Sequence, residues 1–318
     1  MNIGKKMKTD KYIVGIGAAN MDIHGRSINA INLYDSNPGH MHMSVGGVTR
    51  NILENYARLG GKSVLLSVVG DDVYGDKILR ESQEAGLDVS YVMRVKNHVS
   101  STYMSILNND GDMTLALSDM SIMEQLSIDY LHSNDRIIRG AELIVTDPSI
   151  PSEVMNCLLD EYSDMKIFVD PVSTGYARCI ENRTGSFYRI KPNAMECGLL
   201  GHHTITDEDD LWQAAENIIA SGTKEVYVSR GKEGCLYVDS TGNRLKSCLK
   251  PLDDAVNATG AGDAFMAMVI YGCVHGMDRQ ETLDLACRAG MAAIMSADTI
   301  NKNINMELIR NICEERRI

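Results

Sequence analysis

The stretch 257-NATGAGDAFMA-267 decides the fold of this chain and points to its chemistry. Gly260 and Gly262 stand just before Asp263, and from Ala264 to Val274 the sequence is apolar almost all round. Such a run is typical of a buried helix, so the glycines lie at its N-terminus. The first N–H groups of a helix lack intrahelical partners and the macrodipole is positive there. Small side chains at this point therefore leave room for an anion.

Asp263 is the unexpected residue in such an anion site. A carboxylate is repelled by the anion it faces, unless it takes a proton from a hydroxyl group that attacks that anion. We therefore interpret Asp263 as a general base, and the backbone amides of Gly260, Ala261 and Gly262 as an anion hole. The alternative is that the small residues serve helix packing alone.

Length, charge and cysteine content exclude several classes of protein. A chain of 318 residues can bury a large core, and a net charge of −12 with scattered basic residues argues against nucleic-acid binding. The eight cysteines are spread singly, which predicts reduced thiols. No segment is long and apolar enough to cross a bilayer, so we expect a cytoplasmic protein without a membrane partner.

Short β-branched runs alternate with helical patterns along the chain. This alternation predicts an α/β fold, with a mostly parallel central sheet and helices on both faces. The predicted strands are Tyr12–Gly17, Ser63–Val69, Leu143–Thr146, Lys166–Asp170, Phe187–Ile190, Glu225–Ser229 and Cys235–Val238. The predicted helices are Arg50–Leu59, Tyr74–Ala85, Pro151–Tyr162, Glu208–Ala220, Gly262–His275 and Arg279–Ser296.

Two insertions, at about 23–45 and about 97–120, interrupt this alternation. The first is polar, and the second reads as a hairpin around Asn109-Asp110-Gly111. Both follow strands of the first half, so we expect them to meet as a small β lid. Without a linker of low complexity, the lid is an outgrowth of a single domain that spans residues 1–318.

The first polar motif is Asn20-Met21-Asp22, followed by Gly46-Gly47 and Asn51. The carboxyl ends of strands face the ligand crevice in an open α/β sheet, and we place Asn20 and Asp22 just past such an end. An ionised Asp22 can accept two hydrogen bonds from vicinal sugar hydroxyls, and Asn51 offers a donor and an acceptor. The alternative is a tight turn at the glycines and an Asn51 that is satisfied locally.

Two further motifs also follow strands. In Lys191-Pro192-Asn193-Ala194-Met195-Glu196, the side chains of Asn193 and Glu196 can face one way and orient water on Mg²⁺. The alternative is a helix cap without a ligand. The loop from Ser229 to Gly234 contains Gly231 and can cradle phosphates through its amides, but it can equally be a hairpin turn.

Taken in order, these motifs resemble the ribokinase-like (phosphofructokinase B) family of sugar and nucleoside kinases over essentially the whole chain. The resemblance implies transfer of the ATP γ-phosphoryl group to the 5′-hydroxyl of a β-ribosyl unit, with Mg²⁺ and often K⁺. It also implies that Asp263 is the general base and that the amides of Gly260, Ala261 and Gly262 neutralise the developing charge.

The resemblance implies roles for further residues. The substrate would be held by Asn20, Asp22, Gly46, Gly47, Asn51 and Asp147. The nucleotide would be bound by Asn193, Ser229, Gly231, Gly234, Thr259, Gly260 and Gly262. Asn193 and Glu196 would serve Mg²⁺ through water, and Asn257 and Thr259 a monovalent cation. Many relatives carry Asp where this chain has Asn257, which puts K⁺ dependence in doubt.

A second set of motifs, among them Asp35-Ser36-Asn37-Pro38-Gly39 and Phe168-Val169-Asp170-Pro171-Val172-Ser173, resembles one nucleoside kinase within this family. Ser36, Asn37 and Asp119 are then candidates for recognising the base, with turn chemistry as the alternative. Other readings are a kinase for another sugar or nucleoside, and a sugar-binding protein without activity. Relatives pair through such lids, so a homodimer is also expected.

Overall fold

The computed structural model describes residues 11–249, 259–296 and 298–312. Its strands are β1 (Ile13–Ile16), β2 (Asn20–Ser27), β3 (Gly39–Gly46), β4 (Ser63–Leu66), β5 (Val68–Gly70), β6 (Leu87–Asp88), β7 (Met93–Val95), β8 (Thr102–Leu107), β9 (Met113–Asp119), β10 (Ile144–Thr146), β11 (Ile167–Val169), β12 (Arg189–Ile190), β13 (Glu225–Ser229), β14 (Cys235–Asp239) and β15 (Arg244–Ser247).

Its α-helices are α1 (Val48–Arg58), α2 (Val73–Glu84), α3 (Ile128–Ser133), α4 (Asp135–Arg139), α5 (Ser152–Glu161), α6 (Thr174–Ala177), α7 (Ala194–Leu200), α8 (Glu208–Ala220), α9 (Ala261–His275), α10 (Arg279–Ile294) and α11 (Met306–Asn311). Short 3-10 turns lie at Ser121–Gln125, Glu181–Ser186 and Gly231–Glu233. Within the described ranges, no helix combines the length and apolarity that a bilayer span requires.

A mostly parallel sheet runs through the molecule, as the alternating pattern predicts. Over the described residues it has nine strands in the order β15-β14-β13-β12-β11-β10-β1-β4-β6. The pairs from β13 to β6 are parallel, and β14 and β15 are added antiparallel at one edge. The carboxyl ends of the parallel strands therefore meet along one edge, where ligands bind in open α/β sheets.

Helices cover both faces of this sheet, which confirms the predicted fold class. Val14 and Ile16 of β1 point into one buried cluster, shared with α5, α7 and α8, while Ile13 points into the other. The second cluster contains α9, which packs between α1 and α10. Met266 and Met268 of α9 are fully buried, as an all-round apolar helix requires.

Several local expectations differ from the structure. The predicted strand Ser63–Val69 is divided at Ser67, because β4 stays in the central sheet and β5 pairs with β7. Asn20 and Asp22 lie past the end of β1, as expected, but they begin a further strand, β2, that was not predicted. The prediction of reduced thiols is wrong for Cys235 and Cys287, which form a disulfide across 52 residues of sequence.

The two insertions meet in one sheet, as expected, and we call it the lid sheet. Its strand order is β3-β2-β8-β9, so the polar first insertion also forms a hairpin. Side chains alternate between the two faces of a strand. One face carries Asp22 and Tyr103, which are paired in register, and the other carries Met43 and Leu117.

Candidate active site

Asp263 lies in the first turn of α9, directly after the glycine-containing start of that helix. Gly260 precedes the helix with φ of 83°, and none of the described residues caps its N-terminus with a side chain. A side chain at Gly260 would overlap the carbonyl oxygen of Thr299, so only glycine fits. The amides at this helix start thus remain directed at the space in front of Asp263.

Asn51 joins the first predicted motif to Asp263. The Nδ2 amide of Asn51, in α1, donates to Oδ2 of Asp263 at 3.0 Å. Asp22 accepts from Nδ2 of Asn20 at 2.5 Å, and Gly46 leaves space that the Asp22 carboxylate occupies. Gly47 precedes α1 with φ of 101°. These contacts bring Asn20, Asp22 and Gly46 together and join Asn51 to Asp263, and the roles of these residues toward a substrate stay a prediction.

The pKa values of the two buried aspartates, Asp263 and Asp22, lie well above their ordinary value. Burial, with Asp170 nearby, raises the pKa of Asp263 to about 7, although Asn51 and Lys191 oppose this shift. Burial raises the pKa of Asp22 to about 6. A carboxylate with a pKa near the working pH is suited to accept a proton from an alcohol.

Lys191 and Asp170 form a buried ion pair under this helix start, which the sequence did not single out as a site. Nζ of Lys191 is 2.8 Å from Oδ2 of Asp170. A Cβ atom at Gly262 would stand 2.8 Å from Nζ, so Gly262 allows the ammonium group to approach the helix start. Burial alone would lower the pKa of Lys191, but Asp170, Glu196 and Asp263 raise it, so the group stays charged.

Arg50 is a second residue that the motifs did not assign. It is buried, and its Nη1 donates to Oδ1 of Asn51 at 3.3 Å, while Nε donates to Oγ of Ser82 at 3.0 Å. Glu54 forms an ion pair with it. Because the oxygen of the Asn51 amide accepts from Arg50, its nitrogen is turned toward Asp263. The position of Arg50 directly before Asn51 of the motif is the sequence feature that could have identified it.

Asn193 and Glu196 form a capping box at the start of α7. Oδ1 of Asn193 accepts from the Glu196 N–H, and Oε2 of Glu196 accepts from the Asn193 N–H, both at 2.9 Å. Burial raises the pKa of Glu196. The helix-cap interpretation is therefore confirmed, and a role toward phosphate or metal stays a prediction.

The loop after β13 is a hairpin turn, as the second interpretation had it. Gly231 and Gly234 have φ of 55° and 86°. Ser229 bridges to Asn193, so this loop lies beside the start of α7. Its Arg230 is engaged by Glu208 and Glu233. The nucleotide role of Ser229, Gly231 and Gly234 also stays a prediction.

Asp147 is buried and already well supplied with donors. Its carboxylate accepts from the N–H and the hydroxyl of Thr49, from the N–H of Ala18 and from Ser149. These contacts tie the loop after β1 and the start of α1 to the end of β10. The geometry favours a positioning role over contact with the substrate.

The three candidates for base recognition make local contacts. Asn37 accepts from the Asn32 N–H at 2.8 Å, and Ser36 donates its N–H to Asp35. Asp119 accepts from Ser121 and shares the lid face of Leu117, opposite to that of Asp22.

The structure describes one of the two residues that were predicted to hold a monovalent cation. Asn257 lies outside the described residues. Thr259 is described, in the turn that precedes α9.

Comparisons with known proteins identify the family to which the chain belongs. Residues 10–306 match the pfkB family of carbohydrate kinases. Pseudouridine kinase of Escherichia coli K12 is 33% identical over 309 residues, covering 97% of this chain and 98% of that protein. Arabidopsis thaliana ribokinase, solved with ribose and ATP, superimposes with a TM-score of 0.83 at 20% identity, covering 96% of this chain and 99% of that one.

A further structure of this fold, from E. coli, was solved with ATP and Mg²⁺ and has a TM-score of 0.82 at 18% identity, covering 96% of this chain and 99% of that one. The family match extends from before β1 to the start of α11 and includes every described motif. The chain therefore belongs to the pfkB family of carbohydrate kinases, phosphotransferases with an alcohol group as acceptor.

Proposed function

We propose that this protein is a pseudouridine kinase that transfers the γ-phosphoryl group of ATP to the 5′-hydroxyl of pseudouridine. The observation that carries the proposal is the 33% identity to an E. coli pseudouridine kinase over 97% of this chain. The buried Asp263, in the first turn of a helix that begins at glycine, supports the phosphoryl-transfer chemistry. Since ATP is the donor, we also propose a cytoplasmic location.

In this proposal Asp263 takes the proton of the 5′-hydroxyl as the oxygen attacks the γ-phosphorus. Asn51 holds the carboxylate in place through its amide, 3.0 Å from Oδ2. The backbone amides of the α9 start and the Lys191 ammonium stabilise the charge that grows on the transferred group. Asp22 and Asn20 hold the ribose hydroxyls, because a carboxylate accepts two hydrogen bonds at once.

The residues present fit a magnesium ion. Asp170, Glu196 and Asp263 are all buried and all raise the pKa of Lys191, so three carboxylates lie near one ammonium group. Such an excess of carboxylate oxygens is what a hard divalent cation prefers. We propose that Glu196 and Asn193 hold Mg²⁺ through water, and that the ion neutralises phosphate oxygens when bound. A monovalent cation would sit beside Thr259.

We propose that the base is recognised on the lid face that carries Asp22. His24 and Tyr103 lie on that face, and Nδ1 of His24 is 2.6 Å from Oγ of Ser105. Burial and the neighbouring His42 lower the pKa of His24, so its ring is neutral at pH 7. We propose the tautomer whose Nδ1 donates to Ser105, because it leaves Nε2 as an acceptor for the base. Pseudouridine carries one ring N–H more than uridine, and an acceptor aimed at it would discriminate the two.

His24→Ala should then reduce the preference for pseudouridine over uridine by about 10-fold or more, since the lost group is a polar contact to the base. His275→Ala, at the exposed C-terminal end of α9 and outside the lid, is the matched control. An unchanged preference in His24→Ala would place base recognition elsewhere in the lid.

We also propose that two copies pair through the outer face of the lid sheet. Met41, Met43, Leu115 and Leu117 lie on that face and are 63%, 52%, 56% and 64% exposed. A contiguous apolar face of this kind marks an interaction surface. Replacing Leu115 and Leu117 by lysine should give monomers in light scattering, whereas Leu33→Lys, outside the lid sheet, should not.

The deciding experiment measures ATP consumption with Mg²⁺, with and without K⁺, against pseudouridine, uridine, inosine, adenosine and ribose. The product is identified by mass. A strong preference for pseudouridine is the expected result. Preference for another acceptor would leave a kinase with a different substrate, and lack of turnover on all five would favour a binding protein without activity.

A further inference from the structure

A group of three possible metal ligands lies between α3 and α5. His132 is near the end of α3, and Cys157 and Glu161 are on α5. One ligand atom from each side chain lies within 4.8 Å of the other two. Nε2 of His132 is 2.9 Å from Oε2 of Glu161 and 4.0 Å from Sγ of Cys157. Among the described residues, no second group of three such ligands is found.

The helices explain why these side chains meet. Cys157 and Glu161 are four residues apart on one helix, so their side chains lie on the same face. α3 packs against α5 and brings His132 over that face. The separation of 25 residues between His132 and Cys157 follows no familiar zinc spacing, so the sequence pattern does not predict this group.

We propose that His132, Cys157 and Glu161 bind a zinc ion, with water as the fourth ligand. Zinc takes thiolate, imidazole and carboxylate ligands at about 2.0–2.3 Å in a tetrahedral arrangement. Those bond lengths place neighbouring ligand atoms about 3.3–3.6 Å apart. The separations of 2.9 and 4.0 Å from His132, and a third of up to 4.8 Å between Cys157 and Glu161, reach that geometry by side-chain shifts of about 1 Å.

The chemistry of the three ligands favours zinc over the lighter divalent cations. A set with one sulfur, one nitrogen and one oxygen suits Zn²⁺, whereas Mg²⁺ and Ca²⁺ prefer oxygen alone. Arg139 donates to the backbone oxygen of Glu161, at 3.0 Å, so this contact leaves the carboxylate of Glu161 for a metal. An ion held here would join α3 to α5.

A nucleophilic cysteine is the other function that such a group suggests. Burial, with Glu161 close by, raises the pKa of Cys157 to about 11. The thiol is therefore neutral at pH 7 without a metal, and only 8% of the residue is exposed. Reactive cysteines have lowered pKa values and accessible sulfur atoms, so this alternative does not fit.

The test uses Co²⁺ as a spectroscopic substitute for zinc, added to the full chain after chelation and reduction. A thiolate ligand on Co²⁺ gives an intense near-ultraviolet charge-transfer band, which oxygen ligands at the kinase site do not give. We expect one Co²⁺ per chain with this band, displaced by Zn²⁺. Cys157→Ser should abolish the band, and Cys179→Ser, an exposed cysteine elsewhere, should keep it.

Two surface variants guard against a folding defect in Cys157→Ser. The side chains of His132 and Glu161 are each 48% exposed, so His132→Gln and Glu161→Gln leave the core intact. Each should weaken Co²⁺ binding by more than about 100-fold, because each removes a ligand. A missing band in the wild type, or a band that persists in Cys157→Ser, would overturn the proposal, whatever the kinase assay shows.

Discussion

Two helices begin near each other at the ligand edge, and their N-termini are built in opposite ways. At the start of α7 the side chains of Asn193 and Glu196 satisfy each other's backbone N–H groups in a capping box. At the start of α9 the described residues provide glycine and no side-chain cap. Both starts face the same buried group of charges around Lys191.

The two helix starts differ in whether they contribute to stability or to function. A capped helix start gains about 1 kcal/mol from its side chains. Among the described residues the α9 start has no such side-chain contribution, and a helix N-terminus of this kind suits an anion. Asp263 then adds a buried carboxylate, which costs stability at neutral pH because burial disfavours its charge. We infer that the start of α9 serves the chemistry, whereas the start of α7 serves the stability of the fold.

The largest expected effect comes from removing the base at the α9 start. Asp263→Asn keeps the shape of the side chain but cannot accept the proton, so kcat should fall by roughly 10²–10⁴ with a much smaller change in KM. Steady-state kinetics with the preferred nucleoside measure this. Asp207→Asn, at the N-cap of α8, is the control. An unaltered kcat in Asp263→Asn would remove Asp263 from the role of base.

Lys191→Met tests the charge beneath the α9 start. The loss of the ammonium should lower kcat by about 10²-fold, the usual weight of one group that stabilises developing charge. It also leaves Asp170 buried without its partner, which should cost about 3 kcal/mol of unfolding free energy. The double variant Lys191→Met with Asp170→Asn should recover stability but not kcat. Recovery of both would mean that Lys191 has a structural role only.

The pH dependence sharpens the same comparison. With its pKa raised to about 7, Asp263 is protonated below that pH, so kcat/KM should fall about tenfold per unit as the pH drops below 7. The folded state binds this proton more tightly than the unfolded state. The contribution of Asp263 to stability is therefore present below its ordinary pKa and is lost as the pH rises toward 7.

Denaturant unfolding from pH 4 to pH 8 checks that sign. Asp263→Asn should become more stable relative to the wild type as the pH rises. If the difference in unfolding free energy between the two proteins stayed constant with pH, folding would not raise the pKa of Asp263.

The smallest effect is expected at the capped helix. Asn193→Ala removes one half of the capping box and should lower the unfolding free energy by about 1 kcal/mol. If Asn193 also orients water on Mg²⁺, the KM for MgATP should rise as well. Asn305→Ala, at the N-cap of α11, is the control for the loss of a cap alone. A rise in KM that equals that of the control would confine Asn193 to capping.

Local patterns predicted much of the framework. The helix Glu208–Ala220 and the strand Glu225–Ser229 have the predicted bounds, because their apolar spacing is a local property, and Asp207 caps the start of the helix. The strand Ser63–Val69 failed at Ser67, since its division depends on pairing with β7, more than 20 residues away. The lid was expected, but its two opposite faces were not.

The candidate site followed the same division. The motifs identified Asp263, Asn51 and Asp22, because each carries a residue type whose chemistry is recognisable in place. They did not identify Arg50 or the pair of Asp170 and Lys191. The functions of these residues depend on which side chain stands opposite, and that partner is set by packing.

The sequence by itself determined the alternation that forms the sheet, the buried α9 and the glycines in front of Asp263. Periodicity and backbone sterics are local properties, so they can be read from neighbouring residues. Only the tertiary structure decided that Asn51 reaches Asp263 across 212 residues and that Lys191 lies beneath Gly262. It likewise brought His132 to Cys157. Such contacts depend on how distant elements pack, and they set both the pKa of the base and the ligands available to a metal.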